Sequence, residues 1–73
     1  MKPEETIRTH FKLMRATYRE ALAGYHCTLL HGYLQALRDT RQLDAATYLR
    51  LNAMVTAAWC NKINRIYGIR RAA

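Results

Sequence analysis

The sequence predicts an all-α fold, and three observations carry that expectation. Apolar residues recur every three or four positions through most of the chain, as in helices that pack one face. Three glycines and one proline among 73 residues are too few turn formers for an all-β fold. An apolar fraction of 51% excludes a disordered chain.

Pro3, followed by Glu4 and Glu5, opens the first helix near residue 4, because proline suits the first turn and carboxylates favour the positive end of the helix dipole. The series Ile7, Phe11, Met14, Tyr18, Leu22, Tyr25, Leu29, Tyr33 and Ala36 then advances by three or four without a jump in phase. That predicts helix over about 4–40, with Gly24 as the one place where it would break. The polar residues Asp39 to Gln42 predict a turn over about 39–43, and Asp44 is placed to cap the next helix. That helix is expected over about 45–67, closed by Gly68 and followed by a basic tail at 69–73. Its apolar residues fall on two faces and so ask for two packing partners. Ala46, Leu49, Ala53, Ala57 and Cys60 form one, while Leu51, Val55, Ala58, Trp59 and Ile66 form the other.

Two arrangements of this single domain satisfy the pattern. An unbroken first helix gives a helical hairpin, whereas a break at Gly24 gives a three-helix bundle that would separate the two basic ends of the chain. A core this small stabilises a lone chain only weakly, so dimerisation is expected in either case.

Twelve Lys and Arg against five Asp and Glu give a net charge of +7, which favours a polyanionic partner. Residues 45–73 carry five cations and no acid. Arg8, Lys12, Arg15 and Arg19 follow one another at spacings of 4, 3 and 4, so in one helix they project within a band of roughly 60°. Only Arg8 has acids, Glu4 and Glu5, three or four positions away. Lys62, Arg65, Arg70 and Arg71, interleaved with Asn61, Asn64 and Tyr67, form a second cluster able to contact phosphate or bases.

Other chemistry is poorly supplied. No glycine-rich phosphate loop or nucleophile elbow is present, and five scattered carboxylates do not make an acid–base pair, so no enzymatic activity is expected. Cys27 and His31 share a helical spacing, with His10, His26 and Cys60 as conceivable further ligands. They lack the second close pair of a structural zinc site, and neither metal nor cofactor is expected. The uncharged run over 21–37 is broken by Tyr25, His26, Thr28, His31, Gly32, Tyr33 and Gln35, so it does not read as a membrane span. Two cysteines and no secretory signal point to a cytoplasmic protein. The functional expectation is a small, non-enzymatic, regulatory protein acting stoichiometrically on nucleic acid or a nucleoprotein complex. The alternative is an inhibitor or adaptor whose cations and apolar face, residues 7 to 22, dock on an acidic protein.

Overall fold

In a computed structural model, residues 2–72 are described, and side-chain surroundings through residue 68. Three helices follow one another: α1 (Pro3–Ala16), α2 (Glu20–Asp39) and α3 (Ala45–Ala72). Among the described residues there is no strand. The arrangement is a three-helix bundle, in which α2 runs antiparallel to both neighbours and packs more extensively against each than α1 and α3 pack together. The bundle's long dimension, 46 Å, is set by α3, whose 28 residues span about 42 Å.

The break between the first two helices lies at Thr17–Arg19, not at Gly24. Neither glycine nor proline makes it. Thr17 takes an extended conformation and its hydroxyl accepts the Arg19 N–H at 3.1 Å, a local turn that competes with continued helix. Gly24 is interior to α2 and serves packing instead: a Cβ there would lie 3.3 Å from the Trp59 ring, a tight contact to which the ring would have to yield by a few tenths of an ångström.

This shift rotates α2 relative to the expected apolar series. The core takes Phe11 and Met14 from α1, Ala23, Cys27, Leu30 and Leu34 from α2, and Val55 from α3, with Leu37 and Ile66 also buried. Leu22, Tyr25 and Leu29, expected to continue the packed face of α1, turn outward. Only one of the two apolar faces of α3 is packed. Val55 and Ile66 are buried and Leu51, Ala58 and Trp59 half-buried, while Ala46, Leu49, Ala53, Ala57 and Cys60 are exposed.

Between α2 and α3 the chain closes α2 with paired bonds, Gln42 N–H to Leu37 O at 2.8 Å and Arg41 N–H to Arg38 O at 3.0 Å. Arg41 occupies the left-handed position usually given to glycine, with φ 60°. Asp44 then caps α3: its carboxylate accepts the Thr47 N–H at 2.7 Å and its carbonyl the Tyr48 N–H at 3.0 Å. At the far end, α3 continues through Gly68 to Ala72, so the expected cap at Gly68 and the tail at 69–73 give way to helix through residue 72, and Ala73 lies outside the described residues.

Bonds from the Thr47 hydroxyl and then from its backbone N–H hold the Asp44 carboxyl below its ordinary pKa of 3.8. A depressed folded-state value means that the cap's contribution is complete above pH 3.8 and is lost as pH falls through the lower folded value. Asp44→Ala should therefore lower the melting temperature at neutral pH, while Asp44→Asn, an equally good cap, should nearly restore it. Melting curves between neutral and strongly acidic pH check the sign. Asp44→Ala should converge on wild type only in acid; equal acid sensitivity of Asp44→Ala and wild type would refute the assignment.

Candidate polyanion groove

Because α2 packs on both other helices, the α1–α3 seam lies on the side of the bundle away from it. The seam opens into a cavity of about 370 Å3 lined by Phe11 and Arg15 from α1 and by Met54, Ala57, Ala58, Asn61, Lys62 and Arg65 from α3. Its lining holds three cations and no carboxylate. Phe11 and the half-buried Ala58 make an apolar floor, with Met54, Ala57, Arg15 and Arg65 exposed around it.

The structure brings together the end of the α1 stripe and the α3 cluster. A break at Gly24 was expected to keep them apart. The true break follows Arg15 almost at once, so α1 ends level with Lys62 and α3 passes alongside. Arg8, Lys12 and Arg15 share an exposed face of α1 at spacings of 4 and 3. Arg19 leaves that register, because it precedes α2 in extended conformation outside the first helix. Arg8, Lys12, Arg15, Arg19 and Arg65 form no ion pair among the described residues. The guanidinium carbon of Arg15 stands 5.6 Å from the centroid of the Phe11 ring, which holds the charge over the cavity floor.

Lys62 differs from its expected role. It is only 4% exposed, and its ammonium donates to the carbonyl of Arg15 in the last turn of α1. The Tyr18 ring centroid lies 4.4 Å from the same nitrogen. A cation is favourable at a helix C-terminus, where carbonyls lack partners inside the helix, so Lys62 acts as a strut between α3 and α1. The backbone at Arg70 and Arg71 belongs to α3, and their side chains lie outside the described residues.

One cation escaped the sequence reading. Arg50 lines a second cavity on the same seam with Lys2, Glu4, Ile7 and Leu51, toward the start of α1. Its signal was available: residues 50, 54, 57, 61 and 65 recur at spacings of 4, 3, 4 and 4, so Arg50, Asn61 and Arg65 share a face with Met54 and Ala57. Reading cations as neighbours in sequence hid a row spread over four helical turns.

The histidines and Cys27 serve contacts between helices, while Cys60 is exposed. His10 and His26 meet across α1 and α2 with their Nδ1 atoms 3.0 Å apart, one ring donating and the other accepting. His31 Nδ1 and Asn52 Oδ1 are 2.6 Å apart across α2 and α3. Burial, and then the proximity of Cys60, pushes the Cys27 thiol above its ordinary pKa. Among the described residues no group of three or more His, Cys, Asp or Glu is placed to hold a metal ion, and no helix is long and apolar enough to cross a membrane. No protein-family model, curated protein or solved structure matches the chain.

Proposed function

We propose that the protein is a non-enzymatic, cytoplasmic regulatory module that binds nucleic acid or a nucleoprotein complex stoichiometrically, as a dimer, through the α1–α3 groove. The observation that carries this reading is the placement of Arg15 and Arg65, without ion-pair partners, on the two lips of a cavity with no carboxylate in its lining. Arg8 and Lys12 extend the cationic bank along α1, and Arg50 and Asn61 extend the opposite bank along α3. From Arg50 to Arg65 the α3 bank spans about 22 Å, enough to follow several successive phosphates. Such contacts fix position and affinity without reading sequence. The apolar floor adds a surface on which an unstacked base can lie.

That floor also gives the second reading its support. An acidic protein segment with one apolar side chain would fit the same cavity, making the protein an inhibitor or adaptor. The larger apolar face once expected for that role is not free, since Phe11 and Met14 are in the core.

Salt dependence separates the two. Binding to labelled duplex DNA, single-stranded DNA and RNA, measured at about 50 and 200 mM salt, should weaken steeply, because each phosphate contact releases counterions. No binding to any of the three at the lower salt would overturn the nucleic-acid reading.

A further inference from the structure

We infer that the α1–α3 groove takes single-stranded nucleic acid in preference to duplex, with one base seated in the cavity between Arg15 and Arg65. This assignment rests on the polyanion reading of the groove and names its substrate class.

The site is a furrow rather than an isolated pocket. α1 and α3 run parallel, since both are antiparallel to α2, and two cavities open on their seam. On α3 the lining of one ends at Leu51 and that of the other begins at Met54, three positions on; on α1 they meet between Ile7 and Phe11. From Thr47 to Arg65 the furrow is about 27 Å long, enough for about four extended nucleotides. Exposed cations flank it on both sides, Arg8, Lys12 and Arg15 on α1 and Arg50 and Arg65 on α3. The one carboxylate in the lining of either cavity, Glu4, lies at the end far from Arg15 and Arg65.

Width selects the single strand. Packed helices stand about 8–10 Å apart and each is about 10–12 Å across, so α1 and α3 together present a surface roughly 20 Å wide. The major groove of a duplex is about 12 Å wide and the minor groove about 6 Å, and neither admits the pair. A duplex would rest one ridge of phosphates on the two banks, with its base edges out of reach of the cavity. A single strand can lie in the furrow itself, its phosphates between the two rows of cations and a base turned inward.

The cavity is built to receive that base. The planar guanidinium of Arg15 stands over Phe11 and offers a stacking surface, and the exposed Met54 supplies an apolar wall. Asn61, also exposed in the lining, makes no hydrogen bond among the described residues, so its amide can give and accept one at a base edge.

Fluorescence anisotropy with an unstructured strand and a blunt duplex carrying the same number of phosphates tests the assignment. Charge alone favours the duplex, whose higher charge density releases more counterions per contact. The expected result is the reverse, a single strand of DNA or RNA bound at least about tenfold more tightly at equal salt. An abasic strand should bind at least about fivefold more weakly than its normal counterpart with the same salt slope, because it keeps the phosphates and loses the seated base. Met54→Ala with Asn61→Ala, both exposed, should bring strand and duplex within about twofold of each other with helicity unchanged. A duplex bound as tightly as the strand overturns this inference and leaves the polyanion groove standing, as does an abasic strand bound at full affinity or a preference indifferent to the double substitution. Binding to neither strand nor duplex overturns both, and displacement of the strand by polyglutamate at equal charge concentration would assign the furrow to an acidic protein segment instead.

Discussion

Lys62→Met should destabilise the fold by about 2 kcal/mol and yet leave polyanion binding within roughly twofold of wild type when both are folded. Methionine keeps most of the volume and the flexible stem of lysine, so packing near Ile66 and Ala58 is retained. What disappears is the ammonium that donates to the Arg15 carbonyl and sits over Tyr18. Two effects oppose each other. Removing a buried cation relieves a desolvation cost, but it also strips the last turn of α1 of a partner for its carbonyl and removes a cation–π contact. Hydrogen bonds to charged groups are worth about 1.5–3 kcal/mol after hydration is counted, so the loss prevails. In a chain this size that corresponds to a fall in melting temperature on the order of 10 °C. Thermal melts by circular dichroism check the first half, and titration with labelled nucleic acid well below the melting point checks the second. A stable variant that no longer binds would return Lys62 to the contact surface.

The same residue marks where sequence reading stops. What was legible in the chain was chemistry confined to a few neighbours. Pro3 with Glu4 and Glu5 opens α1, the polar residues after Leu37 make the turn, and Asp44 caps α3. What was not legible depends on partners far along the chain. Lys62 and Arg15 are separated by 47 positions, and the strut between them helps to end a helix that carries no glycine or proline stop, only the turn at Thr17. Gly24 looked like a break because its partner, the Trp59 ring, could not be foreseen. The apolar series was real but its phase misled. Two stripes run along α2, and periodicity alone does not say which one the core takes. Of the candidate site, Arg15 and Arg65 were identified as separate clusters; their meeting across one groove followed from where the first helix ends.

Reversing Arg15 and Arg65 together, Arg15→Glu with Arg65→Glu, should lower polyanion affinity by at least about a hundredfold at low salt and flatten the salt dependence by about two contacts. Both side chains are exposed and form no ion pair among the described residues, so the change removes no internal bond to a carboxylate. Its fold cost comes from Arg15, because a carboxylate in the last turn of α1 opposes the helix dipole by about 0.3–1 kcal/mol. Arg15→Gln with Arg65→Gln avoids that term and should give an intermediate loss of binding. Total charge must be separated from position, since the double reversal takes the chain from +7 to +3 by subtracting two charges at each site. Arg38→Glu with Arg41→Glu makes the same subtraction at the end of α2 and in the following turn, outside both groove cavities. That control gives up the Arg38 contact over the Tyr48 ring, 4.6 Å from its centroid, so its helicity and melting temperature are measured beside its affinity. If the groove is the binding site, the two double reversals differ by tenfold or more at equal net charge, on the scale of one to two lost phosphate contacts. Equal losses would mean that the polyanion responds only to the protein's overall field, and the proposed groove would then have no part in binding.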